Sequence, residues 1–343
     1  MESGKLPVNV LKKSVLKHIH PYREEISSGA AVGNDCAAFS LSPDCLAAVC
    51  HREGVIVTEG IPDFPGSCPL KTLLTKAVNN LLAGGASPTG LELSLFLPEG
   101  TAIETLDGLM KEADDFCAAE HLQILGGQTR VTDAVSRILC TVTALGELPA
   151  QAALGRERMT DCDVVITKSV GLEGTAILAE KYADRILAHF PEGLLRTAKG
   201  FAEALSLRPE AEVLFAMRKE AFERGEPFPM EMHDVSEGGI LAALKELAER
   251  SCVGLDLDLK KLPIRQETIE IAELAEVNPY ELLSGGSMLI LTPFGEKMTE
   301  RLQENGIPAC IAGRTTAEKA GILHNEEEIR FLDRPGKDAL YGE

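Results

Sequence analysis

Glycine-rich turns between a strand and a helix are the features of this chain that are best suited to binding a charged ligand. They lie at Gly126-Gly127, Gly171/Gly174, Gly238-Gly239 and Gly285-Gly286. In such a turn the backbone N–H groups converge, and the helix N-terminus that follows favours an anion such as a phosphate. Tight turns also need glycine for conformational reasons alone. Because no Walker loop and no dinucleotide fingerprint is present, ordinary turns remain an open alternative.

The densest polar run before an apolar helix is His233-Asp234-Val235-Ser236-Glu237-Gly238-Gly239. It could place His233, Asp234 and Glu237 at the edge of a cleft, where they would be catalytic candidates. The alternative is a loop in which Ser236 helps to cap the helix.

A second candidate surface lies on an earlier helix. Lys76 and Asn80 are four residues apart and share one face of it, together with Thr72. Since that face lies opposite a stripe of leucines, a solvated helix surface is the alternative.

The elements that must position these residues alternate between strand and helix. In the first half we predict two short strands at 46–49 and 55–58 around a hairpin turn at 51–54, then a helix at 70–82, a strand at 91–97, a helix at 103–117 and a strand at 138–145. In the second half we predict strands at 163–167, 253–259 and 288–291 and helices at 172–179 and 240–248. A polar stretch at 147–160 suggests two domains, 1–150 and 151–343.

Composition limits the class of protein. The chain has 343 residues, 45% of them hydrophobic, which suits a soluble globular protein of two domains. No segment is long and apolar enough to span a membrane, and the first residues do not form a secretory signal, so a cytoplasmic location is expected. Nine cysteines without a C-x-x-C pair read as reduced thiols. A net charge of −19 makes nucleic-acid binding improbable.

Taken in order along the chain, the motifs resemble the aminoimidazole ribonucleotide synthetase (AIR synthase) superfamily. Its members include selenophosphate synthetase, thiamine-monophosphate kinase and the carbamoyl dehydratase of hydrogenase maturation. The segments at 168–176, 233–239, 284–289 and 306–313 are most similar to the hydrogenase-maturation branch. The resemblance implies a two-domain α/β (α+β) fold. Its N-terminal mixed-sheet domain would pair with a second copy across a two-fold axis, and its C-terminal domain would also be α/β.

The resemblance also implies a Mg²⁺-ATP site, and here the chain departs from the family pattern. The family motifs G-D/E-D-A-A, N-D-L-A-A-x-G-A and G-G-D-T place carboxylates where this chain has Asn34, Asn80 and Gln128. By the same motifs, Asp35 and Glu59 are the acidic residues left to bind metal. An amide oxygen can touch Mg²⁺ but brings no charge. Each lost carboxylate costs roughly 4 kcal/mol at an effective dielectric near 20, so we expect Mg²⁺ to be weakly bound or absent.

The ATP-binding residues that the resemblance implies come from both halves of the chain. They are Asn34, Asp35, Thr58, Lys76, Asn80, Gly126, Gly127, Gln128, Thr129, Gly171, Gly174, Gly238 and Gly239. Lys76 or Lys168 would help to hold the phosphates.

The resemblance implies a cytoplasmic, ATP-binding, homodimeric enzyme that phosphorylates an amide or carbonyl oxygen so that this oxygen can leave. A catalytically degraded homologue that acts as a nucleotide- or metabolite-binding partner protein is the alternative, and a small-molecule kinase is a weaker one. The family's dehydratase carries its substrate on a C-terminal cysteine, whereas the last cysteine here is Cys310. Whether a maturation partner protein supplies this cysteine is left open by the sequence.

Overall fold

The computed structural model describes residues 8–20, 23–42, 45–63, 66–149, 159–332 and 337–341. The chain forms two compact units. The first comprises Met1–Ala30 and Asp35–Ala153, and the second comprises Ala31–Asn34 and Leu154–Glu343. The short stretch Ala31–Asn34 therefore belongs to the second unit, although it comes before most of the first unit in the chain. The sequence analysis did not predict this assignment.

The first unit is built on a seven-stranded mixed sheet. Its strands are β1 (Ile26–Ser28), β2 (Ala37–Ser42), β3 (Cys45–Ile56), β4 (Ser67–Cys68), β5 (Ser87–Leu97), β6 (Gln123–Val131) and β7 (Leu139–Pro149). They are ordered β1-β2-β3-β7-β5-β6, with β4 beside β3. The β5–β6 and β3–β4 pairs are parallel, and the other pairs are antiparallel. Strand β6 forms one edge of this sheet.

Three α-helices are described in this unit: α1 (Val8–Ser14), α2 (Leu70–Ala83) and α3 (Ile103–Glu120). The predicted helices at 70–82 and 103–117 are thus confirmed. Helix α2 packs on the central strands through its leucine stripe, and Leu74 and Leu81 are completely buried. This helix is also buried on other sides, because Thr75, Asn79 and Asn80 are each less than a tenth exposed.

The hairpin predicted at 51–54 is wrong. Strand β3 runs without interruption and pairs with β7 from Cys45 through Val55. The polar residues before Gly54 resemble a turn, but Gly54 lies within the strand and pairs with Cys140. A Cβ atom at Gly54 would lie 3.3 Å from the Gly66 carbonyl oxygen and from Leu73. The glycine is therefore explained by close packing rather than by a reversal of the chain.

The second unit has its own seven-stranded sheet. Its strands are β8 (Asp163–Thr167), β9 (Glu231–Asp234), β10 (Gly254–Asp258), β11 (Met288–Thr292), β12 (Ala309–Thr316), β13 (Gly321–Asn325) and β14 (Glu328–Phe331). They are ordered β14-β13-β10-β12-β8-β11-β9. Only the β10–β13 pair is parallel among the described strand pairs of this sheet.

Seven α-helices are described in the second unit: α4 (Leu172–Lys181), α5 (Ala183–His189), α6 (Glu192–Gly200), α7 (Arg208–Glu223), α8 (Gly239–Ser251), α9 (Gln266–Ala275) and α10 (Gly295–Glu304). Helix α8 buries Ile240, Leu244 and Leu247 against the sheet, in the same core as Val164 and Ile166 of β8. The predicted strands at 163–167 and 288–291 are confirmed. Among the described residues, no helix is both long and apolar enough to cross a membrane.

Candidate functional site

A partly buried polar contact in the first unit joins strand β3, helix α2 and the segment before β2. Arg52 Nη2 donates a hydrogen bond to Asn80 Oδ1 at 2.7 Å. Asn80 Nδ2 in turn donates to the backbone carbonyl oxygen of Asp35 at 3.3 Å. Asn80 is 6% exposed and Asp35 is 8% exposed. The solvated-surface interpretation of this helix face is therefore wrong for Asn80, whose amide is held on both sides.

Arg52 is a residue of this cluster that the sequence analysis missed. Alternate residues of β3 face helix α2: Cys50 Sγ contacts the Ala77 carbonyl oxygen at 3.2 Å, and Gly54 lies against Leu73. Arg52 has the same parity in the strand and shares that face. Period-two alternation could have found it, but the hairpin predicted at 51–54 concealed the pattern.

Gln128, the third amide, is not brought to this cluster within one copy of the chain. Gln128 on β6 lies opposite Ser94 on β5. Ser94 in turn lies opposite Thr141 on β7, and Thr141 lies opposite Glu53 on β3, so the four residues form one row across the sheet. Residues in one such row point to the same face of a sheet, and Glu53 points away from helix α2. Three strand spacings also separate β6 from β3, about 14 Å in all. Gln128 thus lies on the opposite face of the sheet from Arg52 and Asn80.

The remaining residues predicted for the first unit lie in different surroundings. Thr58 and Glu59 are exposed in the segment after β3, whereas Lys76 is partly buried on α2. Gly126, Gly127 and Thr129 are exposed on the edge strand β6. The turn between a strand and a helix that was predicted at Gly126-Gly127 is therefore wrong, because both glycines pair with β5. Of the two carboxylates predicted to bind a metal ion, Asp35 is buried and Glu59 is exposed.

The acceptor oxygen of Asn80 does not fit a metal ion, because it already accepts a hydrogen bond from a guanidinium group. A cation placed against that oxygen would meet the positive charge of Arg52 at short range. At this position the donor set favours an anion over a divalent cation.

In the second unit, His233 and Asp234 lie on strand β9 rather than in a loop, and both are 4% exposed. His233 Nε2 lies 3.3 Å from Glu246 Oε2 on helix α8. Glu237 is partly exposed in the turn before that helix. The N-cap residue of α8 is Gly238, and no side chain donates or accepts a capping hydrogen bond there. The prediction that Ser236 helps to cap this helix is therefore wrong. A buried histidine beside a carboxylate can exchange a proton with a bound ligand.

Arg250 lies one helical turn beyond Glu246 and holds the stretch Ala31–Asn34. Its guanidinium donates to the Gly33 carbonyl oxygen at 3.0 Å, to Glu231 Oε2 at 3.0 Å and to the Met232 carbonyl oxygen at 2.6 Å. Gly33 has φ +70°, and a Cβ there would lie 2.6 Å from the Glu246 carbonyl oxygen. The sequence analysis did not single out Glu246 or Arg250; their i, i+4 spacing, which places them on one helix face, was the signal available for them.

The glycine turns of the second unit already use backbone N–H groups internally. Gly171 N–H donates to Ser284 Oγ at 2.6 Å, and Gly174 N–H donates to the Leu283 carbonyl oxygen at 2.8 Å. Gly239 N–H donates to the Ser236 carbonyl oxygen at 3.2 Å. These groups stabilise the unit and are not turned toward a ligand in this structure.

Gly238 is held by the C-terminal segment. Asp338 Oδ2 accepts a hydrogen bond from Gly238 N–H at 2.6 Å, and its Oδ1 accepts from Leu283 N–H at 3.1 Å and Leu340 N–H at 2.9 Å. Burial raises the pKa of this carboxyl group to about 6, although the three backbone donors favour its charged form. The end of the chain thus occupies one of the turns predicted to bind phosphate.

Lys168 is likewise engaged within the second unit. Its Nζ lies 3.0 Å from Glu210 Oε1 and donates to the carbonyl oxygens of Ala204 and Ser206 at 3.1 and 2.7 Å. An ammonium group has three donors, and three acceptors surround this one. We therefore expect a structural role for Lys168.

Comparison with known proteins identifies the family. Residues 33–148 match the AIR synthase related protein, N-terminal domain, and residues 161–325 match the AIR synthase related protein, C-terminal domain. The chain belongs to the AIR synthase related family, and its two mixed sheets with flanking helices have the α/β fold of that family.

Individual relatives come from hydrogenase maturation. A putative hydrogenase expression/formation protein of Methanocaldococcus jannaschii is 25% identical over 98% of this chain and 96% of its own length. The carbamoyl dehydratase HypE of Rhodobacter capsulatus is 25% identical over 76% of this chain and 73% of its own. A crystal structure of the hydrogenase maturation protein HypE in complex with ATP superposes with a TM-score of 0.69 at 17% identity, covering 97% of this chain and 96% of that one.

Proposed function

We propose that this protein binds ATP in the cytoplasm and uses it to activate an amide or carbonyl oxygen, as a relative of the carbamoyl dehydratases. The γ-phosphoryl group would move to the oxygen, which would then leave as phosphate. The observation that carries the proposal is the match along nearly the whole chain to a HypE whose structure contains ATP. The curated dehydratase relative supports the reaction class.

The roles proposed for individual residues follow from their places in the two units. In the first unit, the partly buried Arg52–Asn80 contact would face the phosphates, and Asp35 would hold any metal ion. In the second unit, His233 and Asp234 would serve the acceptor, with Glu246 beside His233 to bind its proton. Glu237 would line the same side.

A second function is favoured by one specific observation, the hydrogen bond from Arg52 to Asn80. This hydrogen bond occupies Asn80 Oδ1, the oxygen that would have to bind the metal ion in a metal-dependent phosphoryl transfer. On this alternative the chain is a catalytically degraded homologue that binds a nucleotide and regulates or assists a partner. A maturation partner protein would then be the protein that it assists.

The test is to measure ATP binding by calorimetry and phosphate release in the presence of a carbamoylated cysteine peptide. Binding with peptide-dependent release supports the enzyme, and binding without release supports the regulatory alternative. Absence of ATP binding contradicts both. Asp234→Asn should abolish release, whereas Asp184→Asn, an exposed carboxylate on helix α5, should leave it unchanged.

A further inference from the structure

Arg52 is a charged residue on an otherwise apolar strand face. The other residues of β3 with the same parity are Leu46, Ala48, Cys50, Gly54 and Ile56. Of these, Leu46, Ala48, Cys50 and Ile56 are buried core residues. Placing a cation on such a face is unfavourable unless the charge is hydrogen-bonded or reaches solvent. Arg52 does both, because it is partly exposed and donates to Asn80.

Asn80 matches both of its neighbours in a way that a carboxylate would not. A guanidinium group can only donate, and a backbone carbonyl can only accept. The amide meets Arg52 with its oxygen and the Asp35 carbonyl with its nitrogen. An aspartate at position 80 could accept from Arg52 but would turn a second oxygen toward the Asp35 carbonyl. The asparagine is thus fitted to an arginine partner.

The asparagine at position 80 also changes the net charge of the pair that it forms with Arg52. An Arg–Asp pair would have no net charge, whereas the Arg52–Asn80 pair has a net charge of +1. We propose that Arg52 takes the place of a divalent cation here and binds the phosphates of the nucleotide through its guanidinium group. Arginine presents planar, paired donors that suit phosphate oxygens. This inference rests on the proposed nucleotide binding. The positive charge at the phosphates would then come from the side chain of Arg52 instead of from a bound metal ion.

The experiment compares ATP affinity of the full-length chain with Mg²⁺ and with a chelator. The wild type should bind ATP in both conditions with similar affinity. Arg52→Gln should weaken binding in chelator by at least about tenfold, since it removes charge-assisted hydrogen bonds. Arg137→Gln is the matched control, because Arg137 is an exposed arginine of the same unit that pairs with Asp63. Its ATP affinity should not change.

Two further variants separate a binding role from a structural one. Asn80→Asp should weaken binding in chelator, because its carboxylate would neutralise Arg52. The double variant Arg52→Gln/Asn80→Asp should bind ATP only with Mg²⁺. If Arg52→Gln fails to fold by circular dichroism, Arg52→Lys carries the test: it keeps the charge without the planar fork, so its affinity in chelator should fall.

Three results would overturn the inference: wild-type binding that disappears on chelation, unchanged affinity in folded Arg52→Gln, or unchanged affinity in Arg52→Lys. Inorganic tripolyphosphate serves as a second probe. Binding of tripolyphosphate but not ATP, with the same sensitivity to Arg52, would retain the inference and refute the proposed ATP function. If neither probe binds, both are refuted.

Discussion

At the scale of single residues, Lys168 and Glu210 form a charge pair deep in the second unit. Glu210 is completely buried and Lys168 is 17% exposed at its side chain. Thr167 Oγ1 also donates to Glu210 Oε1 at 3.2 Å. Lys168 itself has φ +52°, a left-handed conformation that is unfavourable for a residue with a Cβ. The charge pair and the two carbonyl contacts of its ammonium group offset that strain.

We therefore expect Lys168→Met to destabilise the protein by about 3–5 kcal/mol, because the buried carboxylate would lose its partner. Lys199→Met is the matched control. Lys199 pairs with Glu180 at 2.6 Å, but the two side chains are 35% and 52% exposed. An exposed pair contributes only about 0–1 kcal/mol. Urea unfolding of both variants measures the difference, and equal losses would contradict a structural role for Lys168.

At the scale of elements, strand β6 depends on one glycine. Gly127 has φ +142°, and a Cβ there would collide with the Leu93 carbonyl oxygen on the paired strand β5. The neighbouring Gly126 has no atom within 4 Å of the place that a Cβ would take. Two adjacent glycines, both predicted to bind a ligand, thus differ in what the fold requires of them.

Gly127→Ala should detach β6 from β5 and lower the free energy of unfolding by more than about 2 kcal/mol, as expected for strain against backbone. Gly126→Ala should change stability by less than about 1 kcal/mol. Thermal unfolding compares them. If Gly126→Ala weakens ATP binding while its stability is unchanged, the proposed phosphate role of this part of β6 gains support. Equal stability of the two variants would refute the steric argument.

At the scale of the whole molecule, the first unit presents surfaces that suit a second copy. The sheet face away from α2 has partly exposed apolar side chains, among them Val49, Val55 and Leu139. On the edge strand β6, Leu125 is 58% exposed and Val131 is 60% exposed. An edge strand that exposes apolar side chains readily pairs with another chain. These features support the proposed homodimer through the first unit.

Sedimentation should therefore give about twice the chain mass of 36.8 kDa at micromolar concentration. Val131→Lys should shift the protein toward monomer, because a lysine on an edge opposes pairing. Phe331→Lys is the control: Phe331 is 68% exposed on β14, an edge strand of the other unit. A monomeric wild type, or equal effects of both substitutions, would contradict the proposed interface.

The sequence by itself determined the elements whose signal is local. The leucine spacing of α2 and the apolar run of β8 specify a helix and a strand, because periodicity reports which side of an element is apolar. The ordered motifs were enough to indicate the family and its two α/β halves. Local composition failed at 51–54, where polar residues before a glycine resemble a turn but lie in a long strand.

Only the tertiary structure decided which polar groups meet. Arg52 reaches Asn80 from 28 residues away, and Asp338 reaches Gly238 from 100 residues away. Gln128, like Asn80, stands where a family motif has a carboxylate, but it lies on the opposite face of the sheet. These relations depend on strand register and sheet order, which fix faces and distances between segments far apart in the chain. A one-dimensional pattern identifies candidate ligands, whereas topology determines which of them share a site.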